Sequence, residues 1–147
     1  MNKNIVICDL DGTLADIAHR RHFVENGNKK WKEFFAACVD DAPIDQVISA
    51  VDALKRIENL EVWVVSGRSD EVIDQTIKWL NVHATYDKLI MRKAGNYTPD
   101  DILKENWLID GTIPKDRIFC VFDDRDRVVK MWRKHGLVCF QVAEGDF

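Results

Sequence analysis

Asp9 and Asp11 stand two residues apart at the end of the short apolar run Ile5-Val6-Ile7-Cys8, with Gly12-Thr13-Leu14 behind them. A run that short and β-branched reads as a buried strand. Side chains alternate along a strand, so the two carboxylates share a side unless the chain bends between them. Crowded at a strand end, they repel one another and need a cation or a shared proton. The chemistry that fits is metal-assisted phosphoryl transfer. Asp9, at the strand tip, can attack phosphorus and form an aspartyl-phosphate. Asp11 can protonate the leaving oxygen and then activate water. Gly12 allows close approach of the backbone.

Two further polar clusters directly follow apolar runs. Val62-Trp63-Val64-Val65 ends at Ser66-Gly67-Arg68, and Ile118-Phe119-Cys120-Val121-Phe122 ends at Asp123-Asp124-Arg125. Hard oxygen ligands from Asp9, the Asp11 carbonyl and one of Asp123 or Asp124 suit Mg²⁺. Such an ion suppresses repulsion between an attacking carboxylate and a phosphate. Ser66 and a lysine, Lys104 ahead of Lys93, are the candidates for holding the remaining phosphate oxygens. Each cluster alone has a plain explanation: a turn, a strand ending, an N-cap pair or a solvated lysine. Their occurrence in this order, each at a strand end, is what argues for a site.

Positioning these groups requires strands that alternate with helices. Ile44, Val47, Ile48, Val51, Leu54 and Ile57 recur at helical spacing behind Pro43, to about Glu58. Ser69 or Asp70 can cap a second helix running to about Leu80. Lys88 to Met91 is a plausible strand, Arg92 to Pro99 a loop, and Asp100 to Leu108 a helix. A fourth strand spans Arg117 to Phe122, a helix follows to His135 with Gly136 as its C′ residue, and Leu137 to Val142 is the last strand. This alternation predicts an α/β fold, a doubly wound parallel sheet that binds ligands at the carboxyl ends of its strands. Ala15 to Asp41 is polar, basic and aromatic in turn, with a Gly27-Asn28 turn signal, and reads as a small helical cap inserted after the first strand. His19 and His22 are candidates for its rim.

Composition narrows the classes. The 147 residues suit one domain, and 46% hydrophobic content with five Trp and seven Phe is globular. A net charge of −4 without a block of like charges gives no nucleic-acid footprint by itself. Cys8, Cys38, Cys120 and Cys139 have no metal-site spacing and read as buried free thiols. No signal pattern or long apolar stretch is present, so a soluble, cytoplasmic protein that avoids membranes is expected. Nothing fixes the oligomeric state.

Asp9-Leu10-Asp11-Gly12-Thr13, Ser66-Gly67-Arg68, a helix lysine and Asp123-Asp124 together resemble the four motifs of the haloacid dehalogenase (HAD) phosphohydrolases. More narrowly, Asp123 to Arg133 and the tail Gln141-Val142-Ala143-Glu144-Gly145-Asp146-Phe147 resemble the 3′-phosphatase domain of phage polynucleotide kinase-phosphatases. The resemblance implies an HAD-like Rossmannoid fold over residues 1–147 with residues 15–42 as the cap. It implies Asp9 as nucleophile, Asp11 as general acid/base, Ser66 and Lys104 as catalytic, and Asp9, Asp11, Asp123 and Asp124 around Mg²⁺. Thr13, Arg20, Gly67, Arg68, Arg92 and Asp100 fall on the substrate side. Guanidinium forks bind phosphate bidentately, which suits the arginines. The implied reaction is removal of a 3′-phosphate from a nucleotide or polynucleotide end, with a 5′(3′)-deoxyribonucleotidase acting on free nucleoside monophosphates as the alternative. The relatives' kinase domain has a Gly-rich phosphate loop, and no GxxxxGK[ST] occurs here, so no 5′-kinase activity is expected. A phage-infected bacterial cytoplasm is the implied setting.

Overall fold

Ile5, Val6, Ile7 and Cys8 are all buried, so the strand they form must be covered on both faces. The computed structural model describes residues 2–147. In chain order the elements are β1 (Ile5–Cys8), β2 (Ala15–Asp16), α1 (Trp31–Ala36), β3 (Ala42–Pro43), α2 (Asp45–Glu58), β4 (Glu61–Ser69), α3 (Ile73–His83), β5 (Lys88–Arg92), α4 (Asp100–Ile109), β6 (Ile118–Asp123), α5 (Asp126–Lys134) and β7 (Cys139–Gln141). β1 is the middle of a five-stranded parallel sheet in the order β5-β4-β1-β6-β7. The predicted doubly wound α/β architecture is therefore the observed one.

Two apolar layers hold it. On one face Ile5, Ile7, Trp63, Val65 and Val121 pack with Leu108, Val128, Val129 and the fully buried Trp132 of α4 and α5. On the other, Val6, Cys8, Val62 and Val64 pack with Ile48 and Val51 of α2 and Trp79 and Leu80 of α3. Removing a side chain as large as Trp132 would cost about 3–5 kcal/mol. All four cysteines are buried free thiols, and burial pushes Cys120 up to about 11, so it stays protonated and unreactive.

The structure adjusts two expected boundaries. β4 runs on through Ser69, because its ladder with β5 shifts register between Ser66 and Ser69 and resumes at the Ser69–Arg92 pair. A 3₁₀ turn, Asp70–Val72, follows, with the Ser69 hydroxyl accepting from the Glu71 N–H, so α3 starts only at Ile73. The insertion between β1 and α2 is built from short helical pieces. It has two 3₁₀ turns, Ala18–Phe23 and Ala37–Asp40, and the single helix α1. Its two ends meet as the antiparallel β2–β3 pair, Ala15 opposite Pro43 and Asp16 opposite Ala42.

Candidate active site

The site lies at the carboxyl ends of β1, β4 and β6. The Asp9 N–H donates to the Phe122 carbonyl at 2.9 Å, which carries the sheet one residue beyond β1. The chain then turns sharply. The N–H groups of Leu14 and Ala15 both donate to the Leu10 carbonyl, and that of Gly12 donates to Ala15. Gly12 has φ +84°, and a Cβ there would run into the Asp124 carboxylate. This bend separates the two carboxylates. Asp9 faces one set of partners and Asp11 another.

Around Asp9 the groups come from four parts of the chain. Lys104 of α4 donates to Asp9 Oδ1 at 2.8 Å and to Asp123 Oδ2 at 3.2 Å. The Thr13 hydroxyl donates to Asp9 Oδ2 at 3.1 Å and reaches Asp124 Oδ1 at 3.5 Å. Trp132 Nε1 donates to Asp123 Oδ2 at 3.1 Å, and the Asp124 N–H donates to Asp123 Oδ1 at 2.9 Å. Carboxylate oxygens of Asp9, Asp123 and Asp124 all lie within 4.8 Å of one another, and all three residues are buried. Burial and the neighbouring Asp123 charge push the Asp9 carboxyl well above the usual carboxylate range, against the pull of Lys104. Burial and Asp123 likewise raise Asp124. Burial would lower Lys104, but the Asp123 and Asp9 charges outweigh it and hold the ammonium firmly charged.

Around Asp11 the partners are guanidinium groups. Arg20 Nη2 donates to Asp11 Oδ1 at 2.8 Å, and Arg68 Nη2 donates to the same oxygen. Both arginines also grip Asp41, Arg20 through Nε and Nη2 at 2.8 Å each and Arg68 Nη2 at 3.2 Å. Arg20, Arg68 and Asp41 are buried, and Arg68 Nη1 donates to Thr76 at 3.1 Å. Burial would raise the Asp11 carboxyl, but the charges of Arg68 and Arg20 outweigh it and hold it below the usual range. Asp41 and Thr76 belong to the site by geometry and were not singled out from the sequence. An Asp-Asp pair ahead of Ala-Pro carries no linear sign that its second member is buried.

The other expected site residues fall as follows. Ser66 is buried, and its hydroxyl accepts the Arg68 N–H at 3.0 Å. Gly67 sits so close to Asp100 that a Cβ would strike that carboxylate. Arg92 does not reach either central carboxylate. Its guanidinium braces the neighbouring loop, donating to the carbonyls of Gly67 (2.7 Å), Asn96 (3.0 Å) and Thr98 (2.6 Å) and to Asp100 Oδ1 (2.9 Å). Lys93 is exposed, whereas Lys104 is buried against Asp9. His19 Nε2 lies 2.7 Å from Asp41 Oδ1, and His22 is exposed.

A parallel sheet with helices on both faces and an acidic cluster at its strand ends defines an HAD-like hydrolase. CbbY from Rhodobacter sphaeroides shares the fold, with a TM-score of 0.63 at 14% identity over 100% of this chain and 88% of that one. The polynucleotide kinase PNKP phosphatase domain family matches residues 3–147, and the chain belongs to that family of HAD-type phosphatases. A solved chain of the Pnkp1/Rnl/Hen1 RNA repair complex is 31% identical with a TM-score of 0.79, over 98% of this chain and 44% of that one. A protein of Autographa californica nuclear polyhedrosis virus, named as a bifunctional polynucleotide kinase/RNA ligase, is 32% identical over 130 residues, 87% of this chain and 17% of that protein. The chain thus spans less than half the length of these relatives. Among the described residues no helix is long and apolar enough to cross a membrane.

Proposed function

We propose that this phosphatase removes the 3′-phosphate of a nucleotide or polynucleotide end in an Mg²⁺-dependent reaction, through an aspartyl-phosphate on Asp9. The observation that carries this reading is the Asp9 carboxylate fixed between Lys104 and Thr13 inside a cluster of three buried carboxylates. Three carboxylates meet one ammonium in a buried pocket, so ionising all of them would leave two negative charges unmatched. Their hard oxygens fit a divalent cation such as Mg²⁺. Asp9, Asp123 and Asp124 would hold it, with the Asp11 backbone carbonyl as a further donor. When bound, the ion supplies charge neutralisation and polarises the phosphoryl group.

Asp9 Oδ2 attacks phosphorus, the ester P–O bond breaks, and the leaving oxygen takes a proton from Asp11. Water then attacks the aspartyl-phosphate, Asp11 accepts its proton, and the Asp9–phosphorus bond breaks to release inorganic phosphate. The clamp of Arg20 and Arg68 suits Asp11 as a carboxylate base. For the acid step, an incoming phosphate competes for the two guanidinium groups and frees Asp11 to carry a proton. Lys104 holds the other oxygen of the Asp9 carboxylate, Oδ1, and offsets its charge, and Ser66 lies alongside on the adjacent strand β4. Residues 15–42 act as a cap that delivers Arg20 to this centre.

Support for a polynucleotide end comes from the relatives, whose names refer to RNA repair and polynucleotide kinase chemistry. The test measures phosphate release from a 3′-phosphorylated oligonucleotide, a nucleoside 3′-monophosphate and a nucleoside 5′-monophosphate, with Mg²⁺ or with EDTA. Hydrolysis of the 3′-phosphates, lost in EDTA and in Asp9→Asn, is expected. A preference for 5′-monophosphates, or activity retained in Asp9→Asn, would overturn the reading.

A further inference from the structure

The site leaves one group of side chains unused, on the outer surface of the cap. Lys29, Lys30 and Lys32 are three cations within four positions of a chain whose net charge is −4. All three are exposed, and among the described residues none is ion-paired. Trp31 lies between them with 46% of its surface exposed. Its indole stacks on Phe35 at 6.1 Å, tilted 29°, and meets the edge of Phe34 at 5.8 Å. Phe34 in turn lies under the Arg20 guanidinium, 4.4 Å from it, and Arg20 bonds Asp11. A continuous run of packed side chains therefore joins the exposed indole to the catalytic centre.

An ordinary solvated surface explains three lysines. Trp31 stands apart because it is the one exposed tryptophan of five, and an aromatic of that size gains by covering. Unpaired ammonium groups in a short stretch also repel one another, and a polyanion relieves that repulsion. A flat aromatic surface flanked by cations is the composition that grips single-stranded nucleic acid, by base stacking and by phosphate neutralisation.

We propose that Trp31, with Lys29, Lys30 and Lys32, binds the single strand upstream of the 3′-phosphate, the indole stacking on a base and the ammonium groups contacting the backbone. The occupant rests on the polynucleotide reading above. The cap would then set a preference for a strand end over a free mononucleotide, since only a strand reaches both the centre and this face.

The test is binding, which does not depend on hydrolysis. A labelled single-stranded oligonucleotide of roughly eight residues ending in a 3′-hydroxyl is titrated with the full chain at several salt concentrations. Trp31→Ala is expected to weaken binding roughly tenfold, with Trp31→Phe largely restoring it. Changing the three lysines to Gln is expected to flatten the slope of log Kd against log salt by about 2. In turnover, Trp31→Ala is expected to lose roughly tenfold in kcat/KM on a 3′-phosphorylated oligonucleotide relative to a nucleoside 3′-monophosphate. Unchanged thermal melting of the variants shows that they fold. Variants that bind and turn over like the wild type, or a wild type that binds no strand, overturn the proposal. Strand binding without 3′-phosphate hydrolysis would instead remove the catalytic reading and leave the strand grip standing.

Discussion

The two halves of the centre are built on opposite electrostatic plans. Around Asp9, three carboxylates meet one lysine, and the contributors are tied to the sheet, the loop after β1, α4 and α5. Around Asp11, two carboxylates meet two arginines and the charges cancel, with one member of each pair supplied by the insertion. The first half is short of positive charge and calls for a cation. The second is already neutral, each carboxylate paired with both guanidinium groups. The difference teaches that the acidic cluster is built by the sheet and the elements packed on it, while the neutral cluster takes half of its charged groups from the insertion.

The harshest way to break this comparison is Asp9→Asn, which keeps the shape and removes the attacking charge. Hydrolysis is expected to fall by roughly ten-thousandfold or more, read as phosphate release. Survival of appreciable activity would mean that the anionic half is not the reacting one.

Next comes Asp41→Ala, which leaves Arg20 and Arg68 facing Asp11 alone. Breaking a buried pair by removing one partner costs about 3–5 kcal/mol, so denaturant melts should show a loss of that size, together with reduced activity. Little change in stability would show that the neutral half does not depend on its hidden counter-ion. A milder probe is Arg68→Lys. A single ammonium cannot reproduce a fork that meets Asp11, Asp41 and Thr76 together, and kcat/KM should drop on the order of a hundredfold with melting nearly preserved.

The smallest effect belongs to a pair at the far end of the sheet. Asp87 accepts from Lys55 at 2.6 Å and from the Val62 N–H at 2.8 Å. Burial would raise its carboxyl, but these bonds and the Lys55 charge outweigh it and lower the pKa. A carboxyl lower in the folded than in the unfolded state contributes stability above its unfolded value and loses it as pH falls through its folded value. Asp87→Asn is therefore expected to cost at most about 1 kcal/mol at neutral pH, because the pair is partly exposed. The gap between wild type and variant should close in acid, below about pH 4. A gap that persists there would assign the effect to packing instead of charge.

The sheet was legible because buried parallel strands must be apolar throughout and because each stops at a polar cluster. That is why Asp9, Ser66 and Asp123 could be placed from their strands alone. Lys104 was legible only as a candidate beside Lys93, since one lysine on a helix does not reveal that it is buried. The half built on the insertion was harder to read. Asp41 follows Asp40, which is exposed, and only the fold shows that one points inward and the other does not. Arg92 shows the opposite difficulty. The resemblance puts it on the substrate side, and in the fold its donors go to three carbonyls and Asp100. The late start of α3 was hidden for a similar reason, because a register shift between β4 and β5 leaves no mark on hydrophobic periodicity.

The narrow β2–β3 neck has a consequence for how such a molecule can change. The stretch between Ala15 and Pro43 leaves and rejoins the sheet domain at those two residue pairs, and it contains both Arg20 and Asp41. Swapping it wholesale takes one positive and one negative group, Arg20 and Asp41, out of the cluster around Asp11. Arg68 and Asp11 would remain matched, so such an exchange would leave the groups that stay behind in ionic balance.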